Sequence, residues 1–229
     1  MSHELDPAAA SAVEEALRLV EAHGGEVTVV TMGMPNAVDE IRKALAMGAE
    51  RGVLISDPAL AGSDTLGTAK ALAAAIKKGQ YDMVICATES TDTYSGLVPG
   101  QLAELLGVAA LTFAKKVKVE GSKAVVRRQT DFGYQVVEAE LPVLITVSSG
   151  INEPRYPSLK GIMGAKRKEI ATYSAADVGL SPDQVGESGA REKVLTVGKP
   201  PTRAQGTVVT DEGDGGVKIA DFLASLKVL

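Results

Sequence analysis

The chain has 229 residues, 45% of them hydrophobic, and a formal net charge of -5. That length allows one large domain, or one domain with an extended arm. The apolar content excludes disorder along the whole chain, and the acidic balance argues against a broad nucleic-acid surface, which needs a basic excess. The single cysteine, Cys86, permits no internal disulfide, fits a reducing compartment and reads as a small apolar packing residue. No apolar run reaches the roughly eighteen residues of a membrane-spanning helix. The polar, acidic stretch 1–7 does not read as a signal peptide. Aromatic residues make up only 3%, with no tryptophan, so few flat faces are on offer for a ring to stack on. A nucleotide can still be held by backbone groups.

The elements follow in chain order. Asp6-Pro7 reads as an N-cap with proline at the first helical position. Val13, Ala16, Leu17 and Val20 then recur at helical spacing, and Gly24-Gly25 stops the helix. Residues 26–32 form a strand rich in valine and threonine. Residues 36–48 form a helix with Ile41, Ala44 and Leu45 inward, 52–56 a strand, 64–78 an alanine-rich helix with Leu72 and Ile76 buried, 82–88 a strand and 96–106 a helix. Strands separated by helices predict crossover units and a parallel sheet. After Val108 the pattern changes. Segments 116–120 and 123–129 alternate around Gly121-Ser122 as a hairpin, 134–140 continues it, and 142–147 is a buried strand. The chain therefore divides into an α/β domain over 1–174 and an arm over 175–229 without a core of its own, ending in a short helix over 219–226. A doubly wound sheet normally opens with a central strand, whereas this chain opens with a helix.

Several chemistries are missing. There is no Walker loop and no GxGxxG after a strand. The histidines, His3 and His23, have no neighbours with which to form a metal cluster or a triad; His23 ends a helix, where a cation suits the dipole. Ser148-Ser149-Gly150 is not a nucleophile elbow. No nucleophile or base stands out, so the residues alone name no reaction, and an enzyme stays open at this point.

Two segments carry chemistry. ATESTDTYSG over 87–96 lies between a buried strand and a helix, at the carboxyl end of a parallel strand where open sheets bind ligands. Its hydroxyls, its free N–H groups and the helix start that follows suit a phosphate; an ordinary hydroxyl-rich turn with a helix cap is the other reading. In NEPRYPSLKGIMGAKRK over 152–168, two prolines stiffen a loop in which Leu159, Ile162 and Met163 are apolar among charges. Such a patch marks a partner site, or else a loop folded back on its own domain.

These residues resemble the electron-transfer flavoprotein beta-subunit family. NEPRYPSLKGIMGAKRK looks like the family signature. AVEEALRL over 12–19 resembles its first helix, IRKALAMGAERG over 41–52 its second unit, and ATESTDTYSG its adenosine-phosphate loop. The likeness runs over nearly the whole chain and is weakest after about residue 175. It implies a three-layer parallel α/β domain, Rossmann-like, with a β-hairpin region and a C-terminal arm embracing an alpha subunit that holds most of the FAD. It further implies a structural AMP in the beta chain, an electron-carrier role with acyl-CoA-type dehydrogenases as donors in fatty acid oxidation, a respiratory acceptor, and a cytoplasmic bacterial setting without membrane insertion.

Carried over by position, the AMP contacts fall on Asp6, Pro7, Ala8, Ala9, Met32, Asp92, Thr93, Tyr94, Ser95, Gly96, Leu97, Val98, Pro99, Gly100, Gln101, Leu102 and Ala103. The loop that docks the donor dehydrogenase comprises Asn152, Glu153, Pro154, Arg155, Tyr156, Pro157, Ser158, Leu159, Lys160, Gly161, Ile162 and Met163, with Leu159 filling a pocket on the donor. Two departures stand out. The family's opening strand has no counterpart before Met1, so the first strand is expected to be missing and AMP to be held less well. Gln129 stands where the family commonly has a glutamate that holds the flavin domain through an arginine. Electron-bifurcating members place a second FAD where others place AMP, and the loop fits AMP better. A stand-alone module of the universal-stress type would lack the signature loop and the arm. An ATP-using enzyme on this scaffold would need a pyrophosphate loop after its first strand.

Overall fold

Asp6 opens the first helix, α1 (Pro7–His23), by accepting hydrogen bonds from the N–H groups of Ala8 (2.7 Å) and Ala9 (3.3 Å). Gly24, at φ 82°, ends it. The computed structural model describes residues 5–91, 93–199, 201–202, 206 and 208–227. In order, α1 is followed by β1 (Thr28–Met32), α2 (Val38–Met47), β2 (Arg51–Ile55), α3 (Thr65–Ile76), β3 (Met83–Ala87), α4 (Val98–Leu106), β4 (Ala109–Glu120), β5 (Lys123–Thr130), β6 (Gly133–Glu140), β7 (Val143–Val147), α5 (Leu159–Ala165), β8 (Ile170–Tyr173), α6 (Gly186–Gly189) and α7 (Gly215–Ser225). The chain separates into one unit ending at Lys193 and another beginning at Val194.

The class is α/β. The first unit holds a parallel sheet of order β1-β2-β8 and a mixed sheet of order β3-β7-β4-β5-β6. In the mixed sheet β3, β7 and β4 run parallel, and the β4–β5–β6 meander is antiparallel. Alternation along a strand explains the layering. Val143, Ile145 and Val147 of β7 join Met83 and Ile85 of β3 under Ala12 and Leu19 of α1. Leu144, with Val84 and Cys86, faces Leu102 and Ala103 of α4 and Ala73 and Ile76 of α3. Strand β7 is covered on both faces, so all five of its residues are buried. Burial pushes the Cys86 thiol up to about 12, which suits packing rather than reactivity. In the parallel sheet, Val29 and Leu54 meet Ile41 and Leu45 of α2, while Val53 and Ile55 meet Ala71 and Ala75 of α3.

Strands β1 and β3 behave differently. All five residues of each are only half-buried. Each is an edge of its sheet, and Val30 of β1 shares one apolar cluster with Val84 and Cys86 of β3. A single doubly wound sheet would place one more strand between them. Among the described residues none lies there, and the sheet is divided in two.

Three local expectations change. The buried face of α1 contains Ser11, Ala12, Glu14, Glu15 and Leu17 rather than Val13, Ala16 and Val20, because a second segment covers its acidic side. The fourth helix starts at Val98, since Gly96 sits at φ 62°. Residues just past 175 join the core: Ala175 and Val185 are buried with Ile55 and Leu60.

Candidate functional site

The hydroxyl-rich loop begins where Thr88 ties the end of β3 to β7, donating its N–H (3.2 Å) and Oγ1 (3.1 Å) to the Val147 carbonyl. Asp6 at the start of α1 then accepts from Thr91 N–H (2.9 Å) and Thr91 Oγ1 (2.6 Å). Burial works to raise the Asp6 carboxyl, but the Thr91, Ala8 and Ala9 donors outweigh it and hold it below the usual range. Ser90 and Thr93 share a hydroxyl contact of 3.1 Å, and Tyr94 stands exposed at φ 50°. The expected Asp92 lies outside the described residues.

The α4 helix that follows has no side-chain cap. Leu97 precedes it, and Pro99 occupies its first turn. Its opening N–H groups therefore remain available to an anion. Gln101 donates to Thr65 Oγ1 of α3 (3.3 Å), which brings the α3 and α4 starts together. Its Oε1 is buried with no hydrogen-bond partner among the described residues, an acceptor that a bound amine or hydroxyl satisfies. The residues expected around AMP are spread over several elements: Pro7, Ala8 and Ala9 open α1, and Val98, Pro99, Gly100 and Gln101 open α4. Asp6, Thr93, Tyr94, Ser95, Gly96 and Leu97 surround the loop, whereas Leu102 and Ala103 sit in the core and anchor α4. Met32 ends β1, half-buried beside the Ile55 cluster.

The second segment is built by charge. Arg155 donates through Nε (2.7 Å), Nη2 (3.2 Å) and its backbone N–H (3.1 Å) to Glu14 of α1, and through Nη1 (2.5 Å) and Nη2 (3.2 Å) to Glu21. Arg18 adds a bond of 2.7 Å to Glu14. Burial pushes Glu14 up, but Arg155 and Arg18 outweigh it and hold its carboxyl at about 2. Asn152 donates to Ser11 O and Glu15 Oε2, both at 3.0 Å. Beyond this clamp Tyr156, Leu159, Ile162 and Met163 are exposed, Leu159 to 76%. Helix α5 starts at Ser158, whose hydroxyl caps Gly161 N–H (3.0 Å). An open groove of 610 Å³ elsewhere is lined by Phe113, Arg128, Gln129 and Asp131. Sequence reasoning missed Glu14, Glu21 and Thr65. The partners of Glu14 and Glu21 lie more than a hundred residues away along the chain, and no local spacing signals them.

Among the described residues no group of three His, Cys, Asp or Glu side chains is placed to hold a metal, and no helix is long and apolar enough to cross a membrane. Fold and site define a class: an α/β chain with a hydroxyl-rich loop before an uncapped helix and a charge-tied segment that leaves apolar side chains exposed. Residues 2–178 match the family described as electron transfer flavoprotein domain. The chain is 42% identical over 231 residues to electron transfer flavoprotein subunit beta of Mycobacterium leprae, covering 98% of this chain and 87% of the relative. The Mycobacterium tuberculosis protein of the same description is 43% identical with the same coverage. A subunit of the caffeyl-CoA reductase-Etf complex of Acetobacterium woodii is 38% identical over 208 residues, covering 90% of this chain and 79% of the relative. The chain belongs to the electron transfer flavoprotein beta-subunit family.

Proposed function

We propose that this chain is the beta subunit of a heterodimeric electron carrier rather than an enzyme with its own substrate. Its alpha partner holds most of the FAD, and the chain's few aromatic residues support that division. Bound FAD supplies the one- and two-electron chemistry. The residues here bind, orient and dock. Electrons come from acyl-CoA-type dehydrogenases and pass to a respiratory acceptor in the cytoplasm.

The observation that carries the reading is the start of α4, which has no side-chain cap and follows a hydroxyl-rich loop that Asp6 ties down at Thr91. The free N–H groups at the start of α4 suit the phosphate of AMP, and the unpaired Gln101 Oε1 suits a donor on its nucleoside. The loop over 152–163 presents Leu159 to the donor. The unit beginning at Val194 embraces the alpha subunit, and the groove beside Gln129 faces the flavin-bearing domain. Co-expression with the alpha chain tests the reading. A yellow complex releasing one AMP per FAD on denaturation is expected. Two FAD without AMP would assign the cleft to a second flavin, and a colourless stable beta monomer would overturn the assignment.

A further inference from the structure

The stretch 155–168 carries five cations, and the structure gives them two different jobs. Arg155 is spent inside the molecule on Glu14 and Glu21. Lys168 is also spent inside: its Nζ donates to Ala49 O (2.6 Å), Leu45 O (3.3 Å) and Gly48 O (3.5 Å), the carbonyls that end α2. There a cation offsets the helix dipole and satisfies orphan acceptors. Arg42 of α2 answers by donating to Ala165 O (2.5 Å) and Lys168 O (2.6 Å) at the end of α5. The segment is thus bolted to α1 at one end and to α2 at the other. Lys160, Lys166 and Arg167 are exposed, and their side chains have no hydrogen bond or ion pair among the described residues. They stand along the same segment as Tyr156, Leu159, Ile162 and Met163.

We propose that Arg155 and Lys168 are positioning residues that pre-form the docking surface, and that Lys160, Lys166 and Arg167 form its outward rim. The surface therefore fits a partner protein with an apolar pocket bordered by carboxylates. This rests on the docking role proposed above for Leu159. Preorganisation lowers the ordering cost of binding, and rim charges act on association rate and salt dependence. The two groups of cations are separable on those grounds.

The test uses the assembled heterodimer reduced by its donor dehydrogenase, with hydrogen exchange of the 156–163 amides as a readout that needs no donor. Glu14→Gln, which is isosteric and buried where no partner reaches it, should match Arg155→Met: exchange about tenfold faster, KM about tenfold higher and kcat within twofold. Glu21→Gln, at an exposed pair, gives a milder version should the other two fold poorly. Both clamp variants should keep the salt dependence of kcat/KM. Lys160→Gln with Arg167→Gln should flatten that dependence and leave exchange unchanged. If Arg155→Met flattens the salt dependence while Glu14→Gln is silent, Arg155 meets the donor directly and the division of labour is wrong. If Leu159→Ala slows reduction while the clamp variants do not, the positioning role alone falls. If Leu159→Ala is silent as well, the docking reading falls with it.

Discussion

The segment 152–168 and the unit beginning at Val194 both leave large apolar side chains in solvent, but they are built in opposite ways. In the first, exposed Leu159, Ile162 and Met163 sit on a segment tied to two helices by charged hydrogen bonds spanning more than a hundred residues of chain. In the second, Val194, Leu195, Val197, Ile219, Phe222 and Leu226 are exposed, and the side-chain hydrogen bonds among the described residues are local. Asp211 accepts from Gly213 and Gly215 N–H, and Lys218 pairs with Asp214 at i,i+4. A surface that is already ordered can meet a partner briefly and release it. A stripe such as Ile219 and Phe222 of α7 with Leu226 just past its end, on a helix with no buried residue of its own, is the kind of surface that lasting association would cover.

The contrast breaks most readily at the arm. Ile219→Asp with Phe222→Asp should abolish pairing with the alpha subunit. Each buried anchor is worth about 2 kcal/mol or more, so the pair amounts to at least a hundredfold. Sedimentation of the co-expressed chains is the measurement. Pairing at wild-type affinity would mean that the helix is not part of that interface.

The clamp should fail in acid, and the sign follows from Glu14. Its folded value of about 2 lies below the ordinary 4.5. The stabilisation is present above pH 4.5 and is lost as pH falls towards 2. The shift amounts to about 3 kcal/mol at most. Urea midpoints between those pH values should therefore drop more steeply for the native chain than for Glu14→Gln. Parallel slopes would show that the pair contributes nothing net.

Next in size is Leu159→Ala, which should leave folding and AMP content intact while slowing donor reduction. Loss of a hot-spot anchor costs about 2 kcal/mol, roughly thirtyfold. Reduction kinetics unchanged within twofold would remove Leu159 from the docking surface.

Much of this architecture was legible in the sequence because it is periodic or punctuated. The strand–helix alternation, the hairpin at Gly121-Ser122 and the fully apolar run of β7 are each local signals. Ile41, Ala44 and Leu45 announced the inner face of α2 by spacing alone and are buried to 1% or less. What stayed hidden depends on distant partners. Glu14 and Glu15 look like solvent-facing charges on a helix, yet both are buried, because residues 152–155 cover them. Lys168 resembled one more solvated cation in a basic run until its carbonyl partners at the end of α2 appeared. The division of the sheet between β1 and β3 is likewise a tertiary feature with no local signal. The loop over 87–96 stands out by its hydroxyls, but the link from Gln101 to Thr65 at the start of α3 is purely tertiary.

The smallest effect tests how finely the docking loop is seated. Helix α5 carries two interior glycines in different surroundings. A Cβ on Gly161 would lie 2.4 Å from the Ala46 carbonyl oxygen of α2, whereas one on Gly164 would meet nothing within 4 Å. Neither has a left-handed backbone, so the difference is purely steric. Gly161→Ala must lift α5 from α2, and a short surface helix can do so at the low end of the overpacking range, about 1 kcal/mol. For a chain of this size that lowers the melting temperature by about 2–4 °C. Gly164→Ala removes a helix-interior glycine without a clash and should be neutral or stabilising by up to about 1 kcal/mol. The paired measurement is melting temperature alongside KM for the donor. Gly161→Ala should raise KM several-fold despite its small thermal effect, because the displaced α5 carries Leu159, Ile162 and Met163 with it. Equal behaviour of the two variants in both assays would mean that the contact with Ala46 does not fix the loop, leaving that to its hydrogen bonds with α1 and α2.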